Sequence, residues 1–375
     1  MLALAKTVAV IYTARVLTGM GSSVILIMSL VYIGEVASTS IRGILLTLVG
    51  LSTAVGTLLA YIVGPYVPYV VTCWIPAVTM GVYLISLYFI PESPIFYVLA
   101  GKNDEAIANL KTLGRESEIN MVLATGQEKE YITQLKQLTD MFEIKSNRKA
   151  MFIVVTLLIL QQFSGFYAMI FFATTIFDIS GSHIPSHIST IILGATQVVS
   201  GIIAPFFIEY TGRKPLLIFS TAICTLSLTA LATYFYLYDI SHPAAASLQW
   251  LSLTSLIVYV LAYAVGLGTV PNTFSGEMFT TNVRSLGTSV SLTVSWAVGF
   301  GISTAFGYMV PAWGAAVTFW IYAGACALAF VFTIVFVPET KGKTVRSSRN
   351  VKQMSVCVLF DSINWLLLRT EIFSL

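Results

Sequence analysis

Long apolar stretches alternate with short polar connections along the chain. A membrane-spanning helix needs about 20 mainly apolar residues. Stretches of this kind fall near residues 12–34, 43–64, 70–90, 151–178, 187–208, 214–237, 250–274, 285–307 and 312–337. Residues 1–11 are apolar but too short to cross a bilayer, as expected for the end of an earlier helix. The pattern predicts an all-α, multi-pass membrane helical bundle with about nine transmembrane helices.

Basic residues are confined to alternate connections. Most of the Lys and Arg residues lie at Arg42, within 101–150, at Arg213, at Arg284 and after Lys341, whereas the intervening connections contain none. Because cytoplasmic loops carry an excess of Lys and Arg, the basic connections are predicted to be cytoplasmic. The C-terminus is therefore expected on the cytoplasmic side.

Composition agrees with a membrane protein. The chain is 57% hydrophobic and 10% charged, whereas a soluble domain is about 25% charged. A net charge of +3 is too small to indicate a nucleic-acid partner. The three histidines lie near predicted external connections without metal-ligand spacing, so we expect no metal and no cofactor.

One charged segment occurs twice. Gly34–Arg42 and Gly276–Arg284 both begin with Gly-Glu and end with Arg. Each copy is followed by two apolar spans and then by a Pro-Glu-(Ser/Thr) sequence, which contains Glu92 in the first case and Glu339 in the second. Equal order and similar spacing indicate an internal duplication, so the chain is predicted to consist of two related halves.

The duplication also predicts that the first half is incomplete. Applying the offset between Gln161 and Glu277 to the first copy places the partner of Gln161 about 80 residues before the first residue. Two six-helix halves would give twelve helices, of which nine are present. We therefore expect residues 1–100 to form an incomplete N-terminal bundle, from the end of a third helix to the sixth, and residues 151–344 to form a six-helix C-terminal bundle.

Residues 101–150 differ from the rest of the chain, because they hold 16 of its 37 charged residues. Asn103 is a suitable N-cap, Gly114 is a suitable helix stop, and Ile107 and Leu110 have helical spacing. The segment is predicted to be a cytoplasmic amphipathic helical linker between the halves. A disordered linker is the alternative.

Residues 345–375 resemble no earlier segment. Their apolar run, 354–368, is interrupted by Asp361 and is too short to cross a bilayer. They are predicted to form an atypical cytoplasmic tail. This tail is either a surface-lying helix or an unrelated appended end.

Opposite charges recur at the predicted cytoplasmic ends of the spans. The pairs are Glu35 with Arg42, Glu209 with Arg213, and Glu277 with Arg284. Exposed pairs contribute only about 0–1 kcal/mol each, so a set of them can hold two bundles together and still separate. The charges are therefore candidates for a cytoplasmic gate. Ordinary anchoring at the membrane interface is the alternative.

Three glutamines lie inside apolar spans: Gln161, Gln162 and Gln197. An amide without a partner costs several kcal/mol in hydrocarbon, so these side chains should face the bundle interior or a watery cavity. Their donors and acceptors suit sugar hydroxyls. Hydrogen bonding between helices without a ligand is the alternative. Helical spacing predicts that Ser164 and Gly165 share a face with Gln161.

Two further features concern the predicted cavity. Gly266, Gly268 and Pro271 should weaken a helix near the middle of its span, as expected for a helix that bends during transport. Trp296 offers a flat ring to a pyranose, although a lipid-facing or core position is equally compatible with the sequence. The spans contain no carboxylate near a helix centre, so proton coupling is not indicated.

Six motifs follow one another along residues 12–344. They are RVLTGMG with VYIGEVASTSIRG, PESPIFYVLAGK, QQFSGFYAMIFFATTIF, EYTGRKPLL, GEMFTTNVRSLG and PETKGKT. Together they resemble the sugar porter family of the major facilitator superfamily, in particular the insect-type facilitated trehalose and glucose transporters. The resemblance implies a major facilitator fold with about nine of twelve helices present, and no enzymatic activity. It implies a carrier that moves trehalose or a hexose by alternating access, in the plasma membrane.

The resemblance also implies two sets of functional residues. The substrate-binding positions would be Gln161, Gln162, Tyr167, Gln197, Asn272 and Trp296. The cytoplasmic gate would comprise Glu35, Arg42, Glu92, Glu209, Arg213, Glu277, Arg284 and Glu339.

Four positions near the implied cavity depart from the family pattern. Tyr167 and Ser295 stand where Asn is usual, Asn272 stands where Trp is usual, and Gly50 replaces a Gln. Hexose recognition is therefore not assured. The alternatives are a carrier for another small polyol or organic solute, a transporter-like nutrient receptor, and an inactive fragment. The expected partners are a small-molecule sugar and the lipid bilayer, and the oligomeric state is left open.

Overall fold

The computed structural model describes residues 2–38, 41–120, 122–123, 141–182, 184–279 and 283–339. All regular structure within these ranges is helical. The chain divides into two compact units, Met1–Ile132 and Thr133–Leu375. The predicted tail, residues 345–375, and most of the second part of the predicted linker lie outside the described residues.

The described residues of the first unit form three long α-helices and two short ones. A 3₁₀ turn at Leu2–Leu4 precedes them. The helices are α1 (Val8–Val36), α2 (Arg42–Val63), α3 (Tyr69–Leu87), α4 (Pro94–Leu99) and α5 (Asn103–Thr112). The first long helix begins before the predicted start at residue 12, so part of the stretch 1–11 belongs to it.

Helices α1, α2 and α3 are apolar on all sides. Within the unit, most of their large hydrophobic side chains are exposed. Two small residues, Ala14 and Ala54, are buried. A helix that is hydrophobic all round is stable only when lipid or other apolar helices surround it. The three helices therefore have the composition and exposure of membrane spans.

Helix α5 forms where the sequence predicted it but begins differently. Asn103 is its first residue rather than its N-cap, and Lys102 occupies the cap position without a side-chain hydrogen bond. The prediction of an Asn103 cap is therefore wrong. The helix ends at Thr112, and Gly114 follows as the predicted stop, with a φ of +68°. The Gly114 N–H donates to Lys111 O (3.0 Å) and the Arg115 N–H donates to Leu110 O (2.9 Å), which is the Schellman pattern.

This turn directs Arg115 to the end of α1. Its Nη1 donates to the carbonyl oxygens of Glu35 (2.5 Å) and Val36 (3.0 Å), and its Nη2 lies 2.6 Å from Glu118 Oε2. The last carbonyls of a helix have no partner within it and attract positive charge. Arg115, only 5% exposed, therefore joins the linker to the end of α1.

The described residues of the second unit form nine helices. They are α6 (Lys145–Phe163), α7 (Phe166–Phe171), α8 (Ala173–Ile179), α9 (Ser186–Thr211), α10 (Arg213–Asp239), α11 (Ala244–Ser247), α12 (Trp250–Val265), α13 (Val270–Glu277) and α14 (Arg284–Phe336). Helix α6 begins at Lys145, so residues 145–150 of the predicted linker are part of a helix.

The described residues contain eight helical segments that are long and apolar enough to cross a membrane. The last of them, α14, has 53 residues, a length of about 80 Å at 1.5 Å per residue. Because a bilayer core is about 30 Å thick, α14 supplies two crossings. They meet at Gly314, whose φ of +83° interrupts the helix. This gives the nine predicted crossings and confirms the all-α, multi-pass fold.

Aromatic side chains hold α10 and α14 together in the second unit. Phe235 stacks on Phe319, with ring centroids 5.4 Å apart and an interplanar angle of 11°. Within α14, Phe306 and Tyr322 stack from opposite sides of the Gly314 interruption, at 6.2 Å. Aromatic pairs contribute about 0.5–1.5 kcal/mol beyond the burial of their area. This aromatic core fixes the part of α14 against which the candidate site is built.

Replacing Arg115 with alanine should destabilise the first unit. The substitution removes the two hydrogen bonds that the guanidinium donates to the Glu35 and Val36 carbonyls, so we expect a loss of about 2 kcal/mol. Unfolding in mixed detergent micelles measures this loss. The control is Lys102→Ala, which removes an ion pair with Glu105 whose side chains are 57% and 52% exposed. It should cost less than about 0.5 kcal/mol, and equal losses in both variants would contradict the proposed role of Arg115.

Candidate functional site

A first helix break lies at the end of α6. The helix stops at Phe163, and Gly165 adopts a left-handed conformation with φ +78° before α7 begins. A Cβ atom at Gly165 would lie 2.5 Å from the ring of Tyr322, so glycine is required both by conformation and by space. The expectation that Gln161, Ser164 and Gly165 share one continuous helix face is therefore wrong.

A second break separates α12 from α13, as the glycines predicted. Helix α12 ends at Val265 and α13 begins at Val270. Ser220 of α10 replaces the missing backbone bonds, because its Oγ donates to Ala262 O (2.6 Å) and accepts from Leu267 N (2.9 Å). A Cβ atom at Gly266 would lie 2.3 Å from the Cβ of Ser220. The close approach of α10 therefore requires glycine at this position.

The two breaks contact each other through Gly268. Its carbonyl oxygen accepts hydrogen bonds from Gln161 Nε2 (2.9 Å) and from Asn272 Nδ2 (3.1 Å). Beside these bonds the rings of Phe166 and Tyr263 stack, with centroids 4.0 Å apart and an interplanar angle of 6°. Two of the predicted substrate-binding residues, Gln161 and Asn272, therefore meet at one backbone carbonyl.

Tyr259 strengthens the same junction. Its Oη lies 3.1 Å from both the carbonyl oxygen and the Oγ of Ser164, the residue between α6 and Gly165. The side chain belongs to α12 and is fully buried. The first break is therefore tied to the helix that contains the second.

Gln162 points to α14. Its Nε2 donates to Ser295 Oγ at 2.9 Å, and its Oε1 would lie 2.7 Å from a Cβ atom at Gly299. The side chain is only 6% exposed. Ser295 is one of the four departures from the family pattern, and here it is a direct partner of a predicted substrate-binding residue.

Tyr167 and Trp296 lie together beside these polar contacts. Their ring centroids are 5.3 Å apart, at an interplanar angle of 44°. Both line a hollow of about 230 Å³. The lining residues are Tyr167, Phe171, Trp296, Gly299, Phe300 and Ser303.

Gln197 is placed differently from the other predicted residues. It lies within α9 and is half-buried, and it does not line the hollow. Its Oε1 is buried and has no hydrogen-bond partner among the described residues. The structure therefore brings together five of the six predicted substrate-binding positions and leaves Gln197 outside this group.

Glu339, a predicted gate residue, caps α10. Its carboxylate accepts hydrogen bonds from the backbone N–H groups of Arg213 (3.2 Å) and Lys214 (3.1 Å). The Lys214 Nζ in turn donates to Ile334 O in the last turn of α14 (3.0 Å). Negative charge at a helix start and positive charge at a helix end are both favourable, so the two helix ends stabilise each other.

In the first unit, two other predicted gate residues are also close to helix ends. The Glu35 carboxylate accepts a hydrogen bond from Ser93 Oγ (2.5 Å). Asn109 Nδ2 donates to the backbone carbonyl of Glu92 at 2.9 Å. Ser93 also caps α4, because its Oγ accepts from Ile95 N (3.2 Å).

The predicted Glu–Arg pairs cannot be compared with these contacts. The side chains of Arg42, Glu209 and Glu277 lie outside the described residues. Arg284 is exposed at the start of α14, and the described residues provide no acidic partner for it. The gate therefore stays a prediction.

Three residues at these sites were missed by sequence reasoning: Arg115, Ser220 and Tyr263. Arg115 is part of a charged segment that reads as solvent-exposed, although its position just after a helix-stopping glycine was a possible signal. Ser220 and Tyr263 are ordinary residues of apolar helices. Their importance follows from the helix breaks that they contact.

The fold and the site together define a class of protein. Two interrupted membrane helices meet in the interior of a helical unit, and amide side chains gather where their backbones are irregular. Substrate sites of secondary transporters are typically built from such discontinuous helices. The architecture is therefore that of a multi-pass membrane carrier.

Comparison with known proteins shows the family. Residues 1–351 match the family model described as sugar (and other) transporter, and the chain belongs to this family. It is a sugar transporter of the major facilitator type and an integral, multi-pass membrane protein. The resemblance in the six motifs is thereby confirmed.

Relatives with similar sequences are transporters. The chain is 33% identical over 349 residues to the facilitated trehalose transporter Tret1 of Apis mellifera ligustica, covering 92% of this chain and 69% of the relative. It is 30% identical over 354 residues to the transporter of the same name from Culex quinquefasciatus, covering 92% of this chain and 67% of the relative.

Solved structures of similar fold are also transporters. One is the proton:xylose symporter XylE, with a TM-score of 0.62 and 26% identity over 84% of this chain and 68% of the symporter. A partially occluded, inward-open form of the xylose transporter XylE from E. coli has a TM-score of 0.66 and 25% identity, with the same coverage.

Gly165→Ala should disrupt the first break. The new Cβ would be strained by the positive φ and would meet the Tyr322 ring at 2.5 Å, so we expect a loss of stability of about 1–3 kcal/mol. Gly301→Ala is the control, because this helical glycine has no atom within 4 Å of an added Cβ. Unfolding in mixed micelles compares the two, and a Gly165→Ala variant as stable as Gly301→Ala would contradict the requirement for glycine.

Proposed function

We propose that this protein carries trehalose or a hexose down its concentration gradient across the plasma membrane, by alternating access and with its C-terminus in the cytoplasm. The family supports sugar as the substrate class. The names of the insect relatives support trehalose and facilitated transport. The basic connections support the orientation.

The observation that carries this proposal is the meeting of the two helix breaks at the Gly268 carbonyl. Gln161 of α6 and Asn272 of α13 both donate to this carbonyl, and Gln162, the next residue of α6, donates to Ser295 of α14. Each amide has two N–H donors and an oxygen acceptor, so one bond within the protein leaves further capacity for sugar hydroxyls. Trp296 lies beside them and provides an apolar surface for the substrate.

The charged helix ends are proposed to act as the cytoplasmic gate. The proposed members are those named from the sequence, and Glu339 has the best structural support. Its carboxylate is held by the start of α10 and is therefore presented in a fixed position at a helix end. A gate residue needs this kind of fixed geometry, since flexible exposed pairs contribute little.

A carrier for another small polyol or organic solute is the second candidate. It is favoured by Tyr167, Ser295 and Asn272, which depart from the family pattern and lie at the candidate site. It is also compatible with a family whose description includes other solutes.

Uptake into proteoliposomes tests the proposed function. Vesicles that contain the purified chain should accumulate labelled trehalose or glucose until the internal and external concentrations are equal, without a proton gradient. Empty vesicles provide the background. Uptake that requires a proton gradient would contradict facilitated transport, and the absence of flux for both sugars would contradict the sugar proposal.

Gln161→Ala should weaken sugar binding. Loss of one hydrogen bond of about 0.5–1.5 kcal/mol corresponds to a half-saturation concentration raised about 2- to 10-fold. Gln249→Ala is the control, because Gln249 precedes α12 at the end opposite the break. An unchanged half-saturation concentration in Gln161→Ala, with normal folding, would refute its binding role.

A further inference from the structure

The hollow beside the two breaks is built from two helix faces. Trp296, Gly299, Phe300 and Ser303 follow the i, i+3, i+4, i+7 spacing of one face of α14, which is the spacing of a helical stripe. Tyr167 and Phe171 of α7 are four residues apart and complete the lining. Four of the six lining residues are aromatic, and none of these described residues carries a charge.

The lining offers little hydrogen bonding. Its side-chain polar groups are the hydroxyls of Tyr167 and Ser303, with the indole N–H of Trp296. Gln161 and Gln162 are 5% and 6% exposed, and neither is a lining residue. A hexose carries about five hydroxyls, and each one buried without a partner weakens binding roughly fivefold or more. The hollow is therefore poorly suited to the hydroxyl-bearing part of a sugar.

The rings that form the hollow support one another. Tyr167 contacts Phe166 at 5.5 Å, Phe171 at 6.2 Å and Trp296 at 5.3 Å between ring centroids. Phe166 in turn stacks on Tyr263 of α12. Offset and tilted rings with centroids about 4.5–7 Å apart are the preferred aromatic arrangement. A further flat ring can therefore extend this cluster.

The volume of the hollow and the residues next to it limit which ligand it can bind. The hollow is open on one side, and its volume of about 230 Å³ exceeds the roughly 150 Å³ of an enclosed apolar cavity that holds benzene, so it has room for one phenyl-sized ring. Gly299, which lines the hollow, is also the residue next to the Gln162 amide. A suitable ligand is thus flat and apolar at one end, with polar groups at the other end toward the amides.

We propose that the hollow is a subsite for the aryl group of a neutral aryl glycoside, whose sugar lies at the Gln161 and Gln162 side of the site. This inference rests on the proposed sugar-carrier function and narrows its substrate class. The carrier would prefer sugars that bear an aromatic substituent to the free hexose.

Equilibrium binding to the full chain in lipid nanodiscs tests the subsite. The probe is tritiated phenyl β-D-glucoside, displaced by unlabelled phenyl β-D-glucoside or methyl β-D-glucoside. We expect the phenyl compound to bind at least about tenfold more tightly than the methyl compound. Equal affinities would overturn the proposal.

A pair of substitutions identifies the hollow as the source of this preference. Phe300→Ser removes a lining ring whose side chain is 75% exposed, and it should reduce the phenyl-to-methyl preference to less than about threefold. Phe219→Ser is the matched control, because Phe219 lies on α10 outside the hollow and is 60% exposed. A preference that survives Phe300→Ser, or that is lost equally in both variants, would overturn the assignment of the hollow.

Uptake measurements separate this inference from the proposed function. Sugar flux with no phenyl preference would leave the carrier function intact and overturn the subsite. Phenyl glucoside binding without flux of any sugar would support the subsite and contradict the carrier function. Displacement of the probe by a short-chain phosphatidylcholine but not by methyl β-D-glucoside would identify the hollow as a lipid-facing surface and overturn the proposal.

Discussion

The candidate site depends on one constraint: a broken helix in an apolar environment must find new partners for its backbone. Each unsatisfied backbone group costs several kcal/mol in hydrocarbon. At the break between α12 and α13, the Gly268 carbonyl is satisfied by the amides of Gln161 and Asn272. Ser220 performs the same role one turn away. The interrupted helix is thus stable because neighbouring side chains replace its internal bonds.

The side chains that stabilise the break are also those proposed to bind sugar, which links binding to conformation. A sugar hydroxyl at Gln161 would either strengthen or compete with the bond to Gly268. A ligand can shift a conformational equilibrium only by its difference in affinity between the two states. If Gln161 binds sugar as proposed, the shared amide would provide that difference at the break between α12 and α13. The stacking of Phe166 on Tyr263 connects α12 to α7, which follows the break at Gly165.

Much of the fold follows from the sequence, because a bilayer imposes strict length and composition on a helix. The spans and the interior position of Gln161 follow from the cost of polar groups in hydrocarbon, and the second break follows from Gly266, Gly268 and Pro271. The first break was missed because periodicity assumes a continuous helix, and the space that requires glycine at residue 165 is limited by Tyr322, which is distant in sequence. The partners of Gln162 and Arg115 depend on which helices become neighbours. No local pattern contains that information.

The charged helix ends make contacts that pairing charges along the sequence does not reveal. Glu339 binds the backbone of α10, and Glu35 accepts a hydrogen bond from Ser93. Arg115, which was not considered, binds the end of α1. Backbone groups at helix ends are fixed and need partners, whereas exposed ion pairs contribute little. A gate built from these residues would therefore have to share each charge between its own helix end and the opposite half. Such sharing keeps the closed state weak enough to open.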